Sequence, residues 1–378
     1  MSLTQDIREY ALDLGYSVVG FTTADGFPDY ATEITANRKD MYDWYVIGAY
    51  QPLKGVEPRS VMPEAKSIIV TMLDCYKEAF PEKLLGKIGR LYMSRAYLTP
   101  RHRIAGARRQ LLRDFLEQNK MRVASPIVVP ERLSAARAGA VDYGNNTFVF
   151  MHGSHSYVLI TAFVVDTGLE YDNPTMTVDC PPHCTACIDA CPTKALYEPL
   201  KMNPKRCIAY NCFITQDNSI RGVTSYIPYD IREKMGTWIH GCDTCQDVCP
   251  RNQKRIKAKL PPNEYLEMLA QDFDLTRLLH LTPDFYQKRV FPLMYNYIRD
   301  LKVFQRNAAI ALGNMKDPSA ILDLALEMEN KEPVVRATCA WALGRIGGKR
   351  AKAALESALK RETTDSVIKE LNDALVMA

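Results

Sequence analysis

Two cysteine runs constrain this chain more than any other feature. The stretch "DCPPHCTACIDACPTKALYEPLKMNPKRC" spans 179–207, and "GCDTCQDVCP" spans 241–250. The first run reads Cys180-x3-Cys184-x2-Cys187-x3-Cys191-Pro192. The second reads Cys242-x2-Cys245-x3-Cys249-Pro250, with Cys207 well upstream. Each ends in C-x3-C-P. In two-cluster ferredoxins of bacterial type, the fourth cysteine of such a run ligates the other run's [4Fe–4S] cluster. The spacing therefore predicts one cluster on Cys180, Cys184, Cys187 and Cys249. It predicts a second on Cys191, Cys207, Cys242 and Cys245. Of the eleven cysteines, Cys75, Cys212 and Cys339 are left over.

Two features depart from the simplest pattern. The first gap is three residues, "PPH", where two is usual, and Cys207 and Cys242 lie 35 positions apart. An insertion of that length can cover a cluster or line a cofactor pocket. Paired four-cysteine zinc sites are the alternative, since such spacing also suits Zn²⁺. Cys212, five positions after Cys207, is an alternative to it as a ligand. Cys75 and Cys339 read as buried apolar thiols.

The N-terminus "MSLTQDIREYALDLGY" has no long apolar stretch, and no apolar run approaches the ~20 residues of a membrane span. The expectation is a cytoplasmic protein without a membrane partner, where thiols stay reduced and metal ligation outranks disulfides. A net charge of +4 neither demands nor excludes a nucleic-acid partner.

The predicted fold class is α+β in three domains. Residues 1–170 read as α/β: a helix over "REYALDLGY" stopped by Gly15, strands over "SVVGFTTA" and "AKSIIVTMLD", and a long helix over "HRIAGARRQLLRDFLEQNK". "NTFVFMHGSHSYVLITAFVVDT" reads as a hairpin turning at His-Gly-Ser. Residues 171–260 form a ferredoxin-like double-cluster domain. Residues 261–378 read as all-α, HEAT-like repeats. There "QRNAAIALGNMKD" and "RATCAWALGRIGG" echo one another, with Gly313 and Gly344 as matching helix stops 31 residues apart.

This order of parts resembles the epoxyqueuosine reductases, relatives of the corrinoid reductive dehalogenases. The likeness rests on "LGYSVVGFTTA", "PRSVMPEAKSIIV", "PERLSAARAGAVDYGNNTF", "CIAY", "GCDTCQDVCP" and "QRNAAIALGNMKD". It implies a reductase in tRNA queuosine modification. It also implies a cobalamin held between the N-terminal domain, of cobalamin-binding type, and the clusters, with Arg59, Asn146 and Tyr210 in its neighbourhood. A low-potential donor such as ferredoxin or flavodoxin would feed the clusters, and tRNA would be a partner.

The departures from the family lie at the reaction pocket. The family's acid six residues before the Glu-Arg pair is Ser125 here. The Lys of its G-K-N is Asn145, and the Ser of its C-I-S-Y is Ala209. Tyr143 and Asp142 are then the candidate proton donors. His102, between Arg101 and Arg103, is a candidate anion contact. The basic run "RNQKRIKAKL", with Arg345, Lys349, Arg350 and Lys352, is a candidate RNA-facing surface or a solvated face. A different substrate is one consequence of the missing acid. Another is an electron-transfer protein serving a corrinoid protein or other partner, with no substrate of its own.

Overall fold

The computed structural model describes residues 2–42, 52–96, 104–124, 129–213, 226–294 and 300–378. His102 and Ser125 lie outside these residues. No helix among those described is long and apolar enough to cross a membrane.

The N-terminal part is built on an antiparallel sheet of β1 (Val18–Thr23), β2 (Ser67–Asp74) and β5 (Val158–Val165), with β2 in the middle. The near-continuous apolar run of β2 has a direct cause, since both its faces are covered. Ile68, Val70 and Met72 face one core with Ala135, Val141 and Val149. Ile69 and Leu73 face another with Ile7, Phe21, Leu112 and Phe163. Helices Leu3–Asp13 and Ile104–Gln118 supply that second core, and Glu131–Arg137 packs over the first.

The expected hairpin does not form. β4 (Val149–Met151) pairs with β3 (Val141–Tyr143), whereas β5 pairs with β2 over eight positions, from Ser67↔Val165 to Asp74↔Val158. The long β2 ladder holds β5. The intervening Ser156 and Tyr157 are drawn instead toward the second cysteine run, as described below.

The cysteine-rich segment has little apolar core of its own. Cys187, Cys191, Ala195 and Leu196 form a small cluster, with one short ribbon, β6 (Leu196–Glu198) and β7 (Lys201–Met202), beside it.

The C-terminal part stacks helices Leu301–Met315, Pro333–Ile346 and Asp365–Met377 side by side. Gly313 and Gly344 do not stop their helices. Both lie inside the last turn, and the helices end beyond them at Lys316 and Gly347. Their shared role is close packing. A Cβ on Gly313 would sit 2.8 Å from the Ala342 Cα, and one on Gly344 would sit 2.9 Å from the Ala374 Cα. One apolar core runs from Ile208, Ile231 and Ile239 through Phe304 to Leu371. The described parts of the 207–242 insertion, residues 208–213 and 226–241, therefore pack on the helical repeats. Asn314 donates to the carbonyls of Arg232 and Gly236, at 2.8 and 3.0 Å.

Candidate metal centre

Cys180, Cys184, Cys187 and Cys249 line one small cavity. Three come from the first run and one from the second, as the crossed spacing requires. Burial pushes the Cys187 thiol up to about 11, and the neighbouring Cys249, Cys180 and Cys184 raise it further as like charges. The other thiols gather in the same crossed way. Cys245 is raised by burial and then by Cys242, Cys207 and, across the runs, Cys191. Four uncharged thiols gathered around one point have little reason to do so, whereas four thiolates around a cationic centre are stabilised by it. The donor set thus fits a polynuclear iron–sulfur group in each place. Among the described residues, no group of three or more His, Cys, Asp or Glu side chains is set as the ligands of a single metal ion.

The sulfurs also meet hydrogen-bond donors. The Asn145 N–H points at Cys180 Sγ at 3.3 Å. Thr244 Oγ1 lies 3.3 Å from Cys242 Sγ, and the N–H groups of Tyr210 and Ala209 face Cys207. Cys207 precedes the short helix Ile208–Cys212. Cys212 ends that helix, fully buried, and its Sγ faces the Gly241 carbonyl at 3.7 Å. Cys75 and Cys339 are buried thiols, as expected.

Three struts hold the second run against the rest of the chain. Arg90 donates through its backbone N–H (2.8 Å) and Nη1 (3.0 Å) to Asp243, which lies between Cys242 and Cys245. Ser156, Gln246 and Asn252 form a buried amide–hydroxyl knot, with Gln246 Nε2 2.9 Å and Asn252 Nδ2 3.0 Å from Ser156 Oγ. Tyr157 donates its hydroxyl to Asp247 at 3.3 Å. The motif "CDTCQD" displayed Asp243, Gln246 and Asp247 beside the ligands. Their partners, Arg90 and Ser156, lie some 90 to 150 residues away and carry no local signal.

The turn between β3 and β4 touches both cysteine runs. Asn145 Nδ2 donates to the Cys184 carbonyl at 2.8 Å, and Asn146 Nδ2 to the Cys245 carbonyl at 3.4 Å. Asn146 is 2 % exposed, and its Oδ1 accepts from the Phe148 N–H. Of the residues named for a corrinoid, Asn146 is thus committed to the protein frame. Arg59 lies on the surface and pairs with Asp25 at 3.1 Å, while Tyr210 is buried. The cavity beside Cys180 includes Asn146 but neither Arg59 nor Tyr210.

Asp142 and Tyr143 sit on opposite faces of β3. The Asp142 carboxylate accepts from Thr177 and from His152 Nδ1 at 2.9 Å, while His152 Nε2 meets the Gly139 carbonyl. Asp142 is therefore engaged in the frame. Tyr143 packs against the first core, and burial pushes its phenol up to about 12. His240 is buried among Tyr92 and Phe213, and burial pulls it down to about 3, so it stays neutral. His183 lies in the exposed "PPH" gap with φ +59°. In the basic run, Arg251 is held by Asp179 at 3.2 Å and Arg255 by Asp74 at 3.4 Å. Arg345 pairs with Glu233, and Lys349, Arg350 and Lys352 are exposed.

Residues 180–252 match the 4Fe-4S double cluster binding domain, and residues 298–375 match HEAT repeats. An epoxyqueuosine reductase of Bacillus cereus is 33% identical over 389 residues, covering 99% of this chain and 97% of that protein. The structure of a Bacillus subtilis epoxyqueuosine reductase, with its catalytic loop swung out of the active site, superposes with a TM-score of 0.82. It is 29% identical and covers 99% of this chain and 98% of that one. A third neighbour, an epoxyqueuosine reductase with an epoxyqueuosine-modified tRNA stem loop, gives a TM-score of 0.80 at 28% identity, covering 99% of this chain and 98% of that one.

Proposed function

The chain belongs to the epoxyqueuosine reductase family of oxidoreductases, and on that premise we propose that it reduces epoxyqueuosine in tRNA through two iron–sulfur clusters. The observation that carries this reading is the cavity lined by Cys180, Cys184, Cys187 and Cys249, which joins the two cysteine runs into one redox unit. Reducing an epoxide to the alkene takes two electrons and two protons and releases the oxygen as water. A [4Fe–4S] cluster passes one electron at a time, so two adjacent clusters suit a two-electron reduction. Cys180 and Cys184 are half-exposed beside exposed Pro182 and His183, which favours that edge for entry of electrons from a ferredoxin or flavodoxin.

The resemblance adds a cobalamin, whose cobalt would supply the strongly reducing centre. The residues the resemblance names for it are Arg59, Asn146 and Tyr210, and the chemistry assigned to the chain's own residues stops at the clusters and the proton. Tyr143 is the better proton source of the two candidates. Asp142 is engaged by His152 and Thr177. A phenol kept neutral by burial still protonates an alkoxide leaving oxygen, which is far more basic.

The test is anaerobic. Cluster-reconstituted protein, with and without added cobalamin, is reduced with dithionite and mixed with a tRNA stem loop carrying epoxyqueuosine. Loss of one oxygen from the nucleoside, measured by mass spectrometry, is the expected result. An unchanged nucleoside in both preparations would overturn the reading and favour an electron-transfer role toward another protein. Tyr143→Phe is expected to slow the reduction by about 10²–10⁴-fold, the usual range for removal of a general acid.

A further inference from the structure

The β3–β4 turn enters the metal centre as a rigid wedge. Gly144 N–H donates to the Phe148 carbonyl at 2.8 Å, and Thr147 N–H closes back on Gly144 at 2.9 Å. There is no room to rebuild the turn, because a Cβ on Gly144 would lie 2.5 Å from the Phe150 ring. At its tip, Asn145 is committed three times. Its N–H meets Cys180 Sγ at 3.3 Å, its side-chain amide meets the Cys184 carbonyl at 2.8 Å, and its own carbonyl accepts from Leu200 at 3.0 Å. The next residue turns the other way, with Asn146 reaching the Cys245 carbonyl. Adjacent side chains of one turn therefore hold the two sulfur sets separately.

We propose that Asn145 and Asn146 are positioning residues for electron transfer, with Asn145 setting the potential of the Cys180/Cys184/Cys187/Cys249 cluster and Asn146 registering the second set against it. This rests on the reading that the thiols hold two iron–sulfur clusters. The physics is simple. An N–H···S bond stabilises the more negative, reduced cluster and so raises its potential. A side-chain amide bonded to the same loop keeps that donor aimed. The wedge is made of the chain's own backbone rather than of the cysteine-rich segment. The potential of the first cluster is thereby tied to the fold of the N-terminal sheet, and the turn begins directly after Tyr143.

The experiment compares the wild-type chain with Asn145→Ala, which frees the loop but leaves the N–H, and Asn145→Pro, which removes the donor. Iron and sulfide are counted first, and both cluster potentials are then followed by EPR during a redox titration. With iron content unchanged, one cluster potential is expected to fall in the order wild type, Asn145→Ala, Asn145→Pro, while the other stays fixed. Asn146→Ala is expected to alter the spin–spin broadening between the two reduced clusters without moving the first potential. Unchanged potentials in both Asn145 variants at full iron content would overturn the proposal, as would equal shifts of both clusters. Failure of the wild-type chain to bind iron would instead overturn the cluster reading itself. Should Asn145→Pro fail to fold, the Asn145→Ala shift decides alone.

Discussion

Arg232 and Glu370 meet as a buried two-pronged ion pair, Nη2 to Oε1 at 2.7 Å and Nη1 to Oε2 at 3.0 Å. Arg232 belongs to the insertion between two cluster cysteines, and Glu370 to the last helix of the chain. Tyr229 donates to the same carboxylate at 2.7 Å. The pair thus clamps the cysteine-rich segment onto the helical repeats. Removing one partner leaves the other charge buried, at a cost of about 3–5 kcal/mol. Glu370→Ala is expected to lower the unfolding free energy, measured by urea denaturation, by that amount. Arg232→Met with Glu370→Leu should recover much of it. Equal loss in the single and double variants would show that the pair itself stabilises the joint.

Gly313→Ala and Gly344→Ala test the close contacts between repeat helices. The obstructing atoms are backbone atoms, the Ala342 Cα at Gly313 and the Ala374 carbonyl oxygen and Cα at Gly344, which cannot swing aside. Each substitution should destabilise by about 1–3 kcal/mol through overpacking, despite alanine's better helix propensity. A stabilised Gly313→Ala variant, measured by thermal melting, would contradict the packing described here.

His280 places Nδ1 on Glu327 at 2.7 Å and Nε2 on Asp323 at 2.9 Å. Burial pulls the imidazole down, but the two carboxylates outweigh it and leave the group raised. The folded value thus exceeds the unfolded value of about 6.5. The stabilisation is fully present below about pH 6.5 and is lost as pH rises through the folded value. Melting temperature should therefore fall from pH 6 to pH 8, and His280→Gln should flatten that part of the profile. A pH profile unchanged by the substitution would refute the assignment.

How much of this was legible in the sequence follows from how local each signal is. Both cysteine runs carry their chemistry in their spacing, and "AKSIIVTMLD" read locally as the strand it forms. The 31-residue echo of Gly313 and Gly344 located the repeats but misassigned the glycines, because a packing glycine and a stop glycine look alike until a neighbouring helix is placed. The hairpin reading of 146–167 failed for the same kind of reason. Strand partners are a long-range matter, and β2 outcompeted β4 for β5. Asn145 read only as a lost lysine, and its bonds to Cys180 and Cys184 depend on a turn entering from another part of the chain.

Crossed ligation makes a prediction that uncrossed sites do not share. Cys249→Ser should remove the cluster held by Cys180, Cys184 and Cys187, from the other run, and leave Cys242 and Cys245 loaded. Cys191→Ser should do the reverse. Thiol alkylation of the reconstituted variants, mapped by mass spectrometry, reads which cysteines have become free. Release of Cys242 and Cys245 by Cys249→Ser would contradict the crossed sets.

The most direct test of the metal centre is an elemental count. The chain is reconstituted anaerobically with iron and sulfide, desalted, and assayed for iron, acid-labile sulfide and zinc. Two cubanes predict about eight iron and about eight sulfide per chain. A chain that keeps no iron, or that holds about two zinc ions and no sulfide, would contradict the account.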